Sequence, residues 1–208
     1  MRLFLVMLTS AMPAYLLGGV NGAIIASKLF YRKDIRKFGS GNPGLTNFYR
    51  VFGKGGALLV VAIDVFKTIA PVLFGGWVFK RYYDMALFGQ AMSGFFVMLG
   101  HCFPVFYKFQ GGKGVMAAGA ILIILDWRVA IISWGTFILI SILTRYVSLG
   151  AMIGAALFPP ALLVFDIGGI CEFVAVAMCA VLLIIRHQAN IKRLIEGKEP
   201  KFSFRRNK

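Results

Sequence analysis

Three polar segments of the chain combine glycines with hydrogen-bond donors and cations, the residue types that bind phosphate. The first, at 39–50, begins with glycine and proline residues, which prevent a regular helix and leave backbone N–H groups free to bind an anion. Its candidate site residues are Ser40, Gly41, Asn42, Thr46, Asn47 and Arg50. The alternative is a solvated loop whose Ser and Asn side chains cap the next helix.

The second polar segment, at 100–114, ends in a Gly-Gly-Lys-Gly sequence that leads into an apolar stretch. Free N–H groups and an ammonium at the start of a helix bind anions, although the spacing of a Walker A loop is absent. Its candidate residues are His101, Gly111, Gly112, Lys113 and Gly114. The alternatives are an interfacial turn with a snorkelling lysine and an interface histidine without chemistry.

The third polar segment, at 187–199, carries His187, Asn190 and Arg193 at a spacing of three residues. A helix brings this spacing onto one face, and the apolar residues between them lie on the opposite face. The three residues are therefore candidates for the same site. The alternative is a basic amphipathic tail that binds anionic lipid.

Two ionisable residues, Asp64 and Lys67, lie inside an otherwise apolar stretch. Charges at membrane depth are costly and commonly functional, so Lys67 is a further candidate for substrate binding. At a spacing of three residues the two side chains could instead neutralise each other.

The composition indicates an all-α integral membrane protein. The chain is 59% hydrophobic with a mean hydropathy of +0.80, against about 45–50% apolar residues in soluble domains. Its apolar runs are long enough to cross a bilayer, and they leave one domain, 1–208. The seven predicted spans are 3–29, 55–79, 85–104, 115–126, 127–143, 146–165 and 170–186.

The charge pattern predicts the orientation. The net charge of +15 suits cytoplasmic loops better than a nucleic-acid surface, so we expect no nucleic-acid partner. With the N-terminus outside and the C-terminus inside, 19 of the 23 Lys and Arg residues fall on the inner side. All three polar segments then share the cytoplasmic face, which predicts one composite anion site.

The three segments read SGNPGLTNFYR at 40–50, GHCFPVFYKFQGGKGV at 100–115 and HQANIKRLIEGKE at 187–199. In this order and spacing they resemble the signature segments of the acyl-phosphate-dependent glycerol-3-phosphate acyltransferases of bacteria, the PlsY family. The resemblance implies transfer of an acyl group from acyl phosphate to the 1-hydroxyl of sn-glycerol 3-phosphate. Lysophosphatidic acid and phosphate are released, in the first step of phospholipid synthesis.

We therefore expect His187, Asn190, Ser40 and Asn42 to take part in catalysis and the other candidates to bind substrate. The favoured mechanism uses a substrate phosphate as the proton acceptor, with His187 as the alternative base. The expected partners are acyl phosphate, glycerol 3-phosphate and membrane lipid, without metal, cofactor or obligate protein partner. The expected location is the bacterial inner membrane. A transporter for a phosphorylated solute and a lipid-binding scaffold are the rival functions.

Overall fold

The computed structural model describes residues 1–202, in which every regular element is a helix. Within this range the α-helices are α1 (Arg2–Gly18), α2 (Gly22–Tyr31), α3 (Leu45–Phe52), α4 (Ala57–Tyr83), α5 (Ala86–Cys102), α6 (Val115–Leu125), α7 (Trp127–Thr144), α8 (Val147–Ala156), α9 (Phe158–Val164), α10 (Ile170–Arg186) and α11 (Gln188–Ile195). Two short 3-10 helices cover Ile35–Lys37 and Val105–Tyr107. Three basic residues that the orientation argument places inside, Arg205, Arg206 and Lys208, lie outside the described residues.

The helical bundle exposes large apolar side chains, which identifies lipid as its surroundings. Leu58, Phe66 and Ile142 are each at least 70% exposed, on helices whose other faces are packed. Monomeric soluble proteins rarely expose apolar surface on this scale. The 27 residues of α4 rise about 40 Å, more than enough to cross the hydrocarbon core. The chain is therefore an integral membrane protein.

The apolar helices of the structure bear on the predicted number of crossings. Among residues 1–202, five helical segments are long and apolar enough to cross a membrane, and a sixth is α10 together with α11, which are bent by 54°. The predicted fourth span corresponds to α6, whose 11 residues rise only about 16 Å. The count of seven and the orientation therefore stay predictions.

The first span is broken between α1 and α2, and a buried ion pair compensates for the break. Lys67 and Asp64 of α4 form a salt bridge of 2.8 Å. Lys67 Nζ donates to the carbonyl oxygen of Val20 at 2.5 Å, and Asp64 Oδ1 accepts from the backbone N–H of Gly22 at 3.2 Å. Backbone groups released by a helix break within a membrane need such partners.

Helix α5 lies at the centre of the bundle and packs closely against α1 and α4. A Cβ added to Gly100 would lie 2.0 Å from the carbonyl oxygen of Tyr15, and one added to Gly89 would lie 2.3 Å from that of Gly75. Small residues of this kind let membrane helices approach closely. The packing fixes the end of α5, which carries His101, next to the polar loops.

Candidate active site

One cavity of about 490 Å³ brings the three polar segments together. Among the described residues, its wall includes eleven of the fifteen predicted site residues. They are Ser40, Asn42, Thr46, Asn47, Arg50, His101, Lys113, Gly114, His187, Asn190 and Arg193. Gly41, Lys67, Gly111 and Gly112 do not line it. The three segments thus meet at one end of the bundle, as a composite site requires.

Asn47 organises the first loop. Its buried side chain donates to the carbonyl oxygens of Phe38 and Asn42, at 3.0 and 3.1 Å, and accepts from the backbone N–H of Ser40 at 2.9 Å. Both amide hydrogens are therefore used within the loop, so the geometry assigns Asn47 to shaping the loop and not to donating to a substrate. Gly41, with a φ of +72°, turns the chain at a position that favours glycine.

The first loop is also fixed from the membrane side by Asn21, which the sequence analysis did not single out. The Oδ1 atom of Asn21 caps α2 by accepting from Ile24 N at 2.9 Å. Its Nδ2 atom donates to the carbonyl oxygen of Pro43 at 3.0 Å. The break between α1 and α2 is thereby connected directly to the loop that lines the cavity.

The second loop is held by Arg186, another residue that the sequence analysis counted only as a charge. Arg186 Nε and Nη2 donate to the carbonyl oxygens of Gly112 and Gly111, both at 3.1 Å. The N–H of Gly112 donates to the carbonyl oxygen of His101 at 3.1 Å. This N–H is therefore already paired within the protein, and the binding of an anion by Gly112 stays a prediction. A Cβ on Gly112 would lie 2.3 Å from His101 Nε2, so glycine is needed here for close packing.

His101 connects the cavity with the buried ion pair. Its Nδ1 atom lies 2.8 Å from Lys67 Nζ. Because an ammonium only donates, Nδ1 accepts, and the ring proton is on Nε2. Lys67, which does not line the cavity itself, thus contacts Val20 and two residues that do, Asp64 and His101. This geometry favours the alternative in which Asp64 and Lys67 neutralise each other over direct substrate binding by Lys67.

Lys113, Asn190 and Glu199 form a connected chain of polar contacts along one side of the cavity. Lys113 Nζ donates to Asn190 Oδ1. Asn190 Nδ2 donates to Glu199 Oε1 at 2.6 Å, Ser148 Oγ donates to the same oxygen at 2.6 Å, and Arg193 Nε donates to Oε2 at 2.8 Å. Glu199 therefore fixes α11 and the following tail against α8. The sequence analysis quoted Glu199 within the third segment but did not identify it as a site residue.

The cavity retains positive charge for an anionic ligand. Among residues 1–202, Arg50 and Lys113 have no carboxylate within ion-pair distance, whereas Arg193 is paired with Glu199. Burial lowers the pKa of Lys113 from its ordinary 10.5 to about 8; Glu199 opposes this shift, and Arg193, Arg186 and Arg50 add to it. An anion bound beside Lys113 would offset both the cost of burying its charge and the repulsion from the neighbouring arginines. The site is therefore suited to phosphate.

His187 lies between α10 and α11 with a fixed ring orientation. Its Nδ1 atom lies 2.8 Å from the carbonyl oxygen of Leu183, which can only accept, so Nδ1 donates. In the neutral ring the lone pair is then on Nε2. The ring is buried and lines the cavity.

The cavity has an apolar part beside its polar part. This part is formed where α6, α7 and α8 meet, by Val115, Met116, Trp134, Phe137, Val147 and Ala151. A single cavity thus offers cations and amides for phosphate and an apolar wall for a hydrocarbon chain.

Known proteins are similar to this one over nearly the whole chain. The family model described as "Glycerol-3-phosphate acyltransferase" matches residues 8–197. The chain belongs to this family. The glycerol-3-phosphate acyltransferase of Ralstonia pickettii (strain 12J) is 40% identical over 91% of this chain and 90% of its own length. That of Macrococcus caseolyticus (strain JCSC5402) is 37% identical over 93% and 95%.

Solved structures extend the similarity to the fold. The glycerol 3-phosphate form of PlsY (YgiH), an integral membrane glycerol 3-phosphate acyltransferase, has a TM-score of 0.85 with 31% identity. Its lysophosphatidic acid form has a TM-score of 0.83 with 30% identity, and both comparisons cover 95% of this chain and 96% of the other. The protein is thus a glycerol-3-phosphate acyltransferase, which decides between the enzyme, the transporter and the scaffold that the loops alone left open.

Proposed function

We propose that this acyltransferase uses acyl phosphate as its donor and the 1-hydroxyl of sn-glycerol 3-phosphate as its acceptor. The supporting observation is the junction of a cationic part and an apolar part in one cavity. Both substrates carry phosphate, and only the donor carries a long chain. The PlsY structures are described as glycerol 3-phosphate and lysophosphatidic acid forms, which supports the same acceptor and product here.

In this proposal Arg50 and Lys113 bind phosphate, with the amides and hydroxyls of the first loop as further donors. Arginine suits phosphate because its planar fork donates twice, and Lys113 provides a compact charge. Ser40, Asn42 and Thr46 line the same wall, and we assign them to contacts with the reacting groups. Gly114, at the start of α6 with a φ of +82°, lets the chain turn tightly into the helix.

The acyl group passes directly between the substrates. The hydroxyl oxygen attacks the carbonyl carbon of acyl phosphate, the bond from that carbon to the phosphate oxygen breaks, and inorganic phosphate leaves with the electron pair. Among the serines that line the cavity within residues 1–202, Ser148 alone donates to a carboxylate. Burial raises the pKa of Glu199, but hydrogen bonds from Ser148, Asn190 and Arg193 outweigh it and hold that pKa below its ordinary 4.5. Glu199 is therefore a weak base, which disfavours an acyl-serine intermediate.

The attacking hydroxyl loses its proton to a phosphate oxygen of a bound substrate. The second pKa of a phosphate group lies near neutral pH, so this oxygen can accept the proton. His187 positions glycerol 3-phosphate through Nε2. A backbone carbonyl orients its ring where a catalytic base commonly has a carboxylate, and a carbonyl stabilises an imidazolium less well. Asn190 acts through Lys113, because its amide is occupied by Lys113 and Glu199.

The proposal includes one acyltransferase domain across 1–208, in the bacterial inner membrane, with the cavity on the cytoplasmic face. The predominance of cations on the predicted inner side supports this orientation. Water-soluble glycerol 3-phosphate can reach a cavity on that face, and the acyl chain can reach it through lipid.

The decisive experiment offers the purified protein glycerol 3-phosphate with either palmitoyl phosphate or palmitoyl-CoA. We expect inorganic phosphate and 1-palmitoyl lysophosphatidic acid in equal amounts from the first donor, identified by mass spectrometry. Turnover with palmitoyl-CoA but not with palmitoyl phosphate would refute the donor assignment. Acylation at the 2-hydroxyl would refute the assignment of the acceptor position.

A further inference from the structure

A second, smaller pocket lies next to the apolar part of the main cavity. Its volume is about 20 Å³, room for roughly one water molecule. The two share four lining residues, Val115, Trp134, Phe137 and Ala151. These four side chains therefore form the partition between the main cavity and the space behind it.

Trp134 is the largest side chain of this partition, and its position depends on Gly119 of α6. A Cβ at Gly119 would lie 2.3 Å from Cζ2 and 2.5 Å from Nε1 of Trp134, so the indole rests on the bare backbone of α6. Phe137, which like Trp134 belongs to α7, packs against the indole in a T-shaped arrangement, with ring centroids 5.3 Å apart and an angle of 84° between the ring planes. Within the described residues no protein group hydrogen-bonds to the buried Nε1 atom of Trp134, and the ring packs against Gly119 and Phe137.

Behind Trp134 the pocket is lined by small or apolar residues. They are Gly119, Leu122, Ser133, Gly154, Ala155, Phe158 and Leu183. Removal of the indole would join this space to the main cavity without exposing a charge. The space behind the ring is thus suited to hydrocarbon, but the indole separates it from the main cavity.

We propose that Trp134, seated on Gly119, ends the acyl-chain site and sets the length of chain that the enzyme prefers. This inference rests on the proposed function, since it places the acyl chain of the donor in the apolar part of the cavity. The occupant is identified by continuity: an apolar extension of a phosphate-binding cavity suits the chain of a phosphorylated fatty acid. Each methylene that gains or loses burial changes kcat/KM by about fourfold.

The test compares octanoyl, dodecanoyl, palmitoyl and stearoyl phosphate as donors for two variants with opposite expected effects. Trp134→Ala opens the partition, so the optimum should shift toward longer chains. Gly119→Ala pushes the indole into the cavity, so the optimum should shift toward shorter chains. Loss or gain of about two buried methylenes would change the stearoyl-to-dodecanoyl ratio of kcat/KM by about tenfold or more. The KM for glycerol 3-phosphate should stay within twofold.

Two control variants lie on the same helix α7. Trp127→Ala removes an exposed indole that lines neither pocket, and Gly135→Ala adds a methyl group that meets nothing within 4 Å. Both should keep the wild-type preference. If Trp134→Ala does not fold, Trp134→Phe and Gly119→Ala provide the same opposed pair.

Unchanged chain preference in both test variants, or a shift in the same direction, would overturn the inference. A wild-type enzyme that ignores every acyl phosphate would instead refute the proposed donor. The two failures are therefore distinguishable in one set of assays.

Discussion

Lys113 is joined to Glu199 through the amide of Asn190 and does not form a direct ion pair with it. Lys113 Nζ donates to Asn190 Oδ1, and Asn190 Nδ2 donates to Glu199 Oε1. The intervening neutral amide orients the ammonium and leaves its charge available. A direct salt bridge would have to be broken by the substrate, at the cost of the pair's mutual attraction.

Loss of either cation of the cavity should reduce transition-state binding strongly. For Lys113→Ala and Arg50→Ala we expect a loss in kcat/KM that corresponds to about 2–5 kcal/mol, because a phosphate loses a charged partner. Protein level and thermal unfolding should change little. The matched control is Lys54→Ala, an exposed cation near Arg50 that does not line the cavity. Near-wild-type turnover in both test variants would contradict the assignment.

The low pKa of Lys113 predicts a pH dependence of substrate affinity. Its pKa of about 8 means that Lys113 is charged below pH 8 and loses its proton as the pH rises further. Glycerol 3-phosphate is already a dianion in this range. The KM should therefore rise by up to about tenfold per pH unit above 8. Lys113→Arg keeps its charge, so its KM should stay flat. A flat wild-type profile would show that Lys113 does not titrate against substrate binding.

His187→Gln distinguishes positioning from base catalysis. If His187 positions glycerol 3-phosphate, the variant should keep a measurable rate, lose mainly affinity and retain the phosphate-like ionisation in its pH–rate profile. If His187 is the base, the barrier should rise by about 5 kcal/mol or more with unchanged KM, which is roughly 10³–10⁴-fold in rate. Steady-state kinetics over a range of pH values decide between the two results.

Glu199 should matter for stability more than for chemistry. Glu199→Ala leaves Arg193, Asn190 and Ser148 without their acceptor, and we expect a cost of about 1–3 kcal/mol in unfolding free energy. Since the pKa of Glu199 lies below 4.5, this contribution is present at neutral pH and is lost as the pH falls through the lowered pKa.

The control for Glu199 is Glu196→Ala, whose surface pairs with Lys192 and Lys198 measure 4.0 and 3.3 Å. Exposed pairs of this kind contribute little, so its melting temperature in detergent should stay close to that of wild type. Equal melting temperatures for the two variants would contradict the role of Glu199 as an anchor.

The three native cysteines provide a test of orientation. Cys171 is exposed at the start of α10, whereas Cys102 and Cys179 are buried. If α10 starts on the outer side, a membrane-impermeant thiol reagent should label Cys171 in intact cells. In a Cys171→Ser background, a cysteine at Ile195 should react only after lysis. Labelling of Ile195→Cys in intact cells would show that the predicted orientation is wrong.

Sequence reasoning found the three loops because their residue types match phosphate chemistry. It could not distribute the roles within them. Asn47 and Gly112 look like anion donors in the sequence, but their N–H groups are used by Phe38, Asn42 and His101. Such pairings depend on which carbonyl groups the tertiary fold brings near, and residue type does not contain this information.

Arg186, Asn21 and Glu199 were missed for a related reason. Arg186 was counted as a positive-inside charge, and a carboxylate is not an obvious component of an anion site. Each acts by fixing another part of the site, at sequence separations of up to 75 residues. The bounds of α6 followed directly from the sequence, because the predicted fourth span, 115–126, differs from Val115–Leu125 by one residue.

The break in the first span gives a hydrophobic segment a second use. A continuous helix through Val20 would cross the bilayer equally well, but Asn21 would then lack its position against Pro43. The salt bridge between Asp64 and Lys67, which binds the backbone at the break, thus helps to determine the geometry of the first loop. A substitution at Lys67, which is buried in the bundle and does not line the cavity, would therefore distort phosphate recognition from a distance.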